Sequence, residues 1–486
     1  MDDEPLSQEV FAAARREVLG SWPTGAQVWD ADVKAHHRRP EQNLHRVTVA
    51  RLAEPGLGPL LQPRTGVAHV ADEIALLLGL EASGLNVSSI QLDAASRKNR
   101  YAEAQEGLRR SKPGGISFLN GFPVPIHGVE GVRSILGAIN TPFQIRAGSP
   151  DHRLVYEIAL AGGASSVEGG FLCYLFPYDK RTSPVENLHN WKYVDTLAGL
   201  YQSRYGITIN REYFGPLTTT LIEPSIPIAI NVVQAILSAK AGVRCISPGL
   251  AEQGNRVQDV AAIRVLGRMV RHYLSRHGLT GCTVSPVYHQ FMGAFPRETQ
   301  RAAQLIVASS TTAALSGAAR VLIKTPVESS QIPTVRDNAE ALRLTREGVA
   351  RAPDTAVDGG AVEREEALLE AEVRGIMSAI EALGEGSVAR GAIRAFEAGI
   401  LDVPFSPSVY NRGQRLTTRD RDGAVRFVNP EGMPFDQATI DLHRRLVQER
   451  MTLERVTRPS ALIERDLTRI WQGEFVRWPL DGHYVG

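Results

Sequence analysis

The chain has 486 residues, with 54 Lys plus Arg against 53 Asp plus Glu, so its formal net charge is +1. That balance excludes the basic footprint of a nucleic-acid or anionic-membrane binder. A composition of 43% hydrophobic and 22% charged residues excludes a mostly disordered chain. Cys173, Cys245 and Cys282 include no C-x-x-C pair and give neither a disulfide framework nor a thiolate zinc site. The start, Met1-Asp2-Asp3-Glu4, lacks the apolar core of a signal peptide, and the most apolar stretch, 226–239, is interrupted by Pro227, Asn231 and Gln234. The expectation is a cytoplasmic, globular protein. Only seven of the cations are lysine, which makes a lysine at a strand end conspicuous.

Residues 7–19 read as a capped helix, followed by the turn Trp22-Pro23-Thr24-Gly25. A polar segment rich in His and Arg runs over 33–51, with His36-His37 read as a solvated turn. Together these form an N-terminal helical extension, 1–58, expected to wrap something larger. From about residue 60 to 330, short apolar runs alternate with helical stretches. The runs at 88–92, 116–119, 142–145, 165–167, 207–210, 243–246, 283–287 and 320–323 are the expected strands. Helices are expected at 129–138, 153–160, 228–241, 259–277 and 299–316. This α/β alternation predicts a (β/α)8 TIM barrel over 59–334 rather than an open doubly wound sheet, and no G-x-G-x-x-G follows any run. Beyond Thr334 the alternation stops. A linker at 354–360, a helix at 363–383, a hairpin at 417–428 turning at Asp422-Gly423, and a helix at 436–455 predict a C-terminal α+β region, 335–486.

In a barrel, chemistry is expected where strands end and loops begin. Those positions hold Arg97, Asn120, Arg146, Glu168, Arg211-Glu212, His289-Gln290 and Lys324 with Glu328, while Arg64 lies just ahead of the barrel. Arg64, Arg97 and Arg146 converging on one mouth suit a substrate carrying carboxylates, because guanidinium forks bind them bidentately. Glu168 suits an amino group, so the set describes a site for an amino dicarboxylic acid. Arginines also cap loops or pair with surface acids. His289 reads as a general base, a ligand or a structural residue. Tyr174 and Tyr178, around Pro177, either close over a ligand or pack. Lys324 is a candidate Schiff-base amine. No nucleophile–base pair or metal-ligand cluster stands out. The C-terminal Asp481-Gly482-His483-Tyr484-Val485-Gly486 spells a D-x-H-x-x-G cobalamin signature, but no Rossmann-like domain follows it, so the match reads as accidental.

Several strings carry a family resemblance: Gln62-Pro63-Arg64, Asn99-Arg100-Tyr101, Leu119-Asn120-Gly121-Phe122-Pro123, Phe214-Gly215-Pro216-Leu217-Thr218, His289-Gln290, Lys324-Thr325-Pro326 and Tyr410-Asn411. In these the chain resembles the epsilon (E) subunit of glutamate mutase, also called methylaspartate mutase. The resemblance implies an isomerase that interconverts L-glutamate and (2S,3S)-3-methylaspartate by a radical carbon-skeleton rearrangement. It implies adenosylcobalamin as cofactor, a separate small cobalamin-binding subunit over the barrel mouth, and a dimer of this chain within a heterotetramer. It implies Arg64, Arg97 and Arg146 as a claw on substrate carboxylates, Glu168 as the catalytic partner of the amino group, and Tyr174 and Tyr178 in the pocket. Gly66, Asn120, Pro177, Phe295, Lys324, Glu328 and Ile332 are the implied cofactor contacts. The sequence departs from the family at Ala147, where the family has a substrate-contacting histidine, and around Tyr174. Readings therefore left open are a related mutase with an altered substrate, a Lys324 Schiff-base lyase, and a non-catalytic relative.

Overall fold

The computed structural model describes residues 2–149, 151–173, 180–214, 221–472, 479–480 and 483–484. Tyr174, Pro177, Tyr178 and the string 215–218 lie outside them. Eight parallel strands form a closed (β/α)8 barrel: β1 (Leu60–Gln62), β2 (Ser88–Gln91), β3 (Phe143–Arg146), β4 (Ser166–Glu168), β5 (Asn210–Phe214), β6 (Cys245–Ala251), β7 (Thr283–Val284 and Val287–His289, interrupted at Ser285-Pro286) and β8 (Arg320–Leu322). β8 pairs with β1 from Arg320↔Leu60 to Leu322↔Gln62, and a Thr65↔Ile90 bridge closes the ring between β1 and β2.

Two strand expectations are corrected. Residues 116–119 are loop: Ile116 is 74% exposed, and Phe118 lies under the Arg110 guanidinium at 4.1 Å. Pro113-Gly114-Gly115 turn the chain there and leave this run no strand to pair with. The true first strand is Leu60–Gln62, three residues between Pro59 and Pro63, so Arg64 follows a strand instead of preceding the barrel. The fifth strand begins at Asn210, where the expected run 207–210 ends.

Strand side chains alternate between the two faces, so one face packs on the helix ring and the other fills the barrel. Leu61, Ile145, Val167, Ile246 and Val321 join the apolar core. The inward face is polar and linked by a chain of side-chain hydrogen bonds. Gln62 Nε2 donates to Gln144 Oε1 (2.6 Å), Gln144 Nε2 to Ser166 Oγ (2.8 Å), and Ser166 Oγ to Asn210 Oδ1 (2.8 Å). Asn210 Nδ2 continues to Ser247 Oγ (2.8 Å), which meets Ser285 Oγ at 2.9 Å. One step toward the strand C-termini, the register aligns Gln91, Arg146, Glu168, Glu212 and Ser247 in a row around the ring.

The ring helices include Val70–Ala82, Val124–Ala138, Arg153–Ala161, Pro184–Leu200, Ser225–Lys240, Arg256–Arg276 and Thr299–Ser316. Val335–Arg351, opened by a Thr334–Asp337 capping box, packs between the helices Thr299–Ser316 and Val70–Ala82 and takes the eighth place. The N-terminal segment covers the opposite end of the barrel. Leu44 N–H donates to Ser165 Oγ (3.0 Å), Ser165 Oγ to Gln42 O (2.6 Å), and Asn43 Nδ2 to Thr208 O (3.2 Å). His36 and His37 are not a solvated turn. Their rings meet Ala161 O (2.5 Å) and Leu160 O (2.8 Å) at the end of a ring helix, and burial holds His37 down at about 4.

The C-terminal region contributes the helix Gly359–Gly384, which packs on Arg256–Arg276 and Ser225–Lys240, and a hairpin pairing Thr417–Arg419 with Val425–Phe427. The hairpin turns at Asp422-Gly423 as expected, with Gly423 at φ 90°. Arg426 bridges to Glu365 with two 2.7 Å bonds, and Gln258 of the barrel exchanges bonds with the Val425 backbone. No helix among the described residues is long and apolar enough to cross a membrane.

Buried acids sit in the seam between barrel and C-terminal region. Phe427 N–H donates to His443 Nδ1 (3.3 Å), so Nε2 carries the proton and donates to Glu372 Oε1 (2.6 Å). Burial pushes the Glu372 carboxyl up to about 8, burial and the neighbouring Glu372 raise Glu223, and burial holds His443 down at about 4. A carboxyl raised on folding contributes stability that is full below its unfolded value near 4.5 and is lost as pH rises toward 8. The lowered His443 contributes stability above 6.5 that is lost as pH falls toward 4. Stability is therefore expected to fall between pH 6 and 8 by up to about 1.4 kcal/mol per pH unit for each such proton. Thermal melts should show this fall flattened in Glu372→Gln, and an equally steep fall in the variant would place its cause elsewhere.

Candidate active site

The C-terminal ends of the strands surround a cavity of about 470 Å³ lined by Arg64, Gly66, Gln91, Asn120, Glu328 and Ile332, among others. Arg64 follows β1 and donates from Nη2 to Glu328 Oε1 at 2.7 Å. Lys324, just past β8, bonds the same oxygen. Burial opposes the Glu328 charge, but Arg64 and Lys324 outweigh it and hold the carboxyl near 2. Burial, then Arg64, lowers the Lys324 ammonium to about 8. Gly66 has φ +148°, and a Cβ there would lie 2.7 Å from Gln91 O, so only glycine lets this loop rest against β2. Beneath it, Glu73 takes bonds from Thr65 Oγ1 (2.5 Å) and Val67 N–H (2.7 Å), while burial pushes its carboxyl up to about 7.

Arg97 ends the short helix Ala94–Arg97, whose first turn is capped by Asp93. Its Nε donates to Leu92 O at 2.8 Å, and it forms no ion pair among the described residues. Asn120 reaches the mouth from the loop and accepts from Ala94 N–H at 2.8 Å. Arg146 is 5% exposed at the end of β3, with Nη2 2.8 Å from Glu168 Oε1 and Nη1 3.0 Å from Glu212 Oε1. Glu212 also pairs with Arg320 Nη2 (2.5 Å) and lies 3.4 Å from His289 Nε2. Burial holds His289 near 4, so the ring is neutral and does not carry the charge that balances Glu212.

The structure thus brings Arg146 and Glu168 together, and separately Arg64, Lys324 and Glu328, with Gly66, Asn120 and Ile332 on the rim; Ile332 is 71% exposed. Phe295 is instead buried among Phe291, Leu305 and Ile306, with Lys324 Nζ 5.8 Å from its ring centre. Ala147 is 1% exposed within the apolar core and offers no polar contact. Sequence reasoning gave no role to Glu212 or Arg320, whose meeting depends on strand register. Among the described residues, Arg64, Arg146, Arg320 and Lys324 pair with Glu168, Glu212 and Glu328, and Arg97 adds a cation with no ion pair, a surplus of positive charge that suits an anionic ligand. Among the described residues no cluster of His, Cys, Asp and Glu could hold a metal ion. An open cavity, a glycine-tight loop and the exposed Ile332 on its rim fit a group contacted, rather than ligated, by this chain.

Fold and mouth together define a (β/α)8 barrel protein with a cation-rich site at its strand C-termini. A family model described as methylaspartate mutase E chain matches residues 40–479. The chain is 38% identical over 477 residues to the glutamate mutase epsilon subunit of Desulfitobacterium hafniense, covering 98% of each chain. It is 39% identical over 458 residues to the one from Treponema denticola (92% of this chain, 93% of that), and 38% over 482 residues to the one from Halobacterium salinarum (99% and 100%). The chain belongs to the methylaspartate mutase E chain family.

Proposed function

We propose that the chain is the catalytic subunit of an adenosylcobalamin-dependent glutamate mutase, converting L-glutamate to (2S,3S)-3-methylaspartate with a separate small cobalamin-binding subunit over its mouth. Beside the full-length family match, the observation that carries this reading is the buried Arg146–Glu168 pair on adjacent strand ends. Arg146, Arg97 and Arg64 bind the substrate carboxylates, and Glu168 accepts from the amino group. The family resemblance assigns Tyr174 and Tyr178 to the same substrate. Gly66, Asn120, Lys324, Glu328 and Ile332 lie toward the cofactor, to which the resemblance adds Pro177 and Phe295; the cofactor supplies the radical chemistry when bound. The chain's own work is to bind and orient the acid, hold fragments in register until they rejoin, and keep water out. Two copies of this chain pair within a heterotetramer.

The test mixes the purified chain with a cobalamin-binding small subunit, adenosylcobalamin and L-glutamate, and assays 3-methylaspartate. Turnover that needs the small subunit and disappears in Arg146→Ala supports the reading. No turnover on L-glutamate, with turnover of another amino or hydroxy acid, moves it to a related mutase with an altered substrate, the outcome that the apolar Ala147 favours. Silence with every acid, while cobalamin still binds, leaves a non-catalytic relative.

The lowered Lys324 ammonium favours one rival, a Schiff-base lyase. Its contact to Glu328 argues against that chemistry, because the carboxylate stabilises the charged, non-nucleophilic form. Borohydride with candidate carbonyl substrates is therefore expected to leave activity and mass unchanged, and an adduct at Lys324 would overturn this.

A further inference from the structure

We propose that Glu212 is a positioning residue for Arg146: from beneath, it fixes which edge of that guanidinium faces the ligand. This rests on the functional reading above and adds a residue to it. Glu212 is wholly buried on β5, in the same register row as Arg146 and Glu168. Its Oε1 takes Arg146 Nη1 at 3.0 Å, and its Oε2 takes Arg320 Nη2 at 2.5 Å and Gln144 Nε2 at 2.8 Å. Arg146 Nη1 also donates to Gln144 Oε1 at 3.0 Å, so both of its protons point into the barrel. The rotation of the fork is thereby set, with Nη1 inward and Nη2 beside Glu168.

A guanidinium held from one side only can turn about its terminal bonds, and a bidentate contact needs both partners coplanar. Glu212 removes that freedom by anchoring to β3 and β8 at once. Arg320 contributes the counter-pull: it starts β8, is buried, and crosses the interior to reach the second oxygen. Glu212 has no direct role in the chemistry here. It acts through Arg146, at the floor of the site.

The experiment compares Glu212→Asp, Glu212→Gln and the charge-balanced pair Glu212→Gln with Arg320→Gln. The wild-type complex is reconstituted with small subunit and adenosylcobalamin. Glu212→Asp keeps the charge but withdraws it by one methylene, so kcat/KM for L-glutamate should fall about 10²-fold, mostly through KM, since a misplacement of about 1 Å costs that much, with a smaller loss of Tm than in Glu212→Gln. Glu212→Gln should lose stability as well. The double variant should recover Tm and keep the raised KM. Recovery of both Tm and KM in the double variant would overturn the proposal, because Glu212 would then merely neutralise Arg320. Crystal structures of Glu212→Asp and the double variant read the same point without turnover. A displaced or rotated Arg146 fork supports the proposal, and an unchanged one overturns it. A wild-type complex inactive on L-glutamate but with a displaced Arg146 in the variants would retire the functional reading alone.

Discussion

Arg146→Lys is expected to lower kcat/KM for L-glutamate by about 10³-fold, a loss near 4 kcal/mol. The position looks conservative, since charge is retained, but the native contacts need a fork. Arg146 reaches Glu168 with one nitrogen and Glu212 and Gln144 with the other, spanning three strands within the buried barrel. A lysine ammonium is a compact point charge that cannot meet acids on both sides in that geometry, nor grip a carboxylate along two parallel bonds. Breaking a buried pair also leaves an acid uncompensated, at a cost of about 3–5 kcal/mol. Circular dichroism and Tm should accompany the kinetics. A folded variant with kcat/KM within about tenfold of wild type would remove Arg146 from the substrate site.

Asp466→Ala is expected to lower stability by about 3–5 kcal/mol, among the largest single losses outside the mouth. Asp466 is fully buried and takes two 2.8 Å bonds from Arg450, one from Thr418 Oγ1 (2.7 Å) and one from Arg419 N–H (2.8 Å). Its removal leaves the buried Arg450 with Glu454 as its remaining carboxylate partner among the described residues, and loosens the hairpin at Thr417–Arg419. That hairpin is bolted in turn to the loops beyond β5 and β6, through Thr417 to Leu221 O and Arg419 to Gln253 O. Melts should show the loss, and Asp466→Ala combined with Arg450→Met should regain part of it, because a buried pair replaced entire costs far less than one partner removed. No recovery in the double variant would mean that packing, not the stranded charge, dominates.

The sequence announces the barrel because its strands and helices differ in period, and seven of the eight expected runs overlap true strands. β1 is silent for a physical reason. A strand paired on both sides and flanked by prolines needs only three residues, and Leu60-Leu61-Gln62 contains none of the β-branched or aromatic residues that mark the others. Residues 116–119 mimic a strand because apolar side chains also occur on exposed loops. Arg97, Arg146, Glu168 and Lys324 are legible because charged residues at strand ends are conspicuous beside apolar runs, whereas Arg64 stands out only as a charge just ahead of the expected barrel, its strand unread. Glu212 was visible but mute, since its partners at 144, 146, 289 and 320 reach it only once register is fixed. The Glu223–Glu372–His443 seam draws on segments too far apart in the chain for any local pattern to disclose.

The N-terminal segment covers the far end of the barrel through Ser165 and Thr208, and among the described residues hydrogen-bonded side chains cross the interior between the two ends. Among the described residues, the door of the chamber is the cavity at the strand C-termini. On the function proposed above, a second subunit seated across that door would make chemistry and exchange mutually exclusive in time: closed, it would keep the acid inside, and open, it would leave the reaction without shelter. The cycle rate of such an assembly is bounded by how often the door swings, whatever the speed of the step behind it.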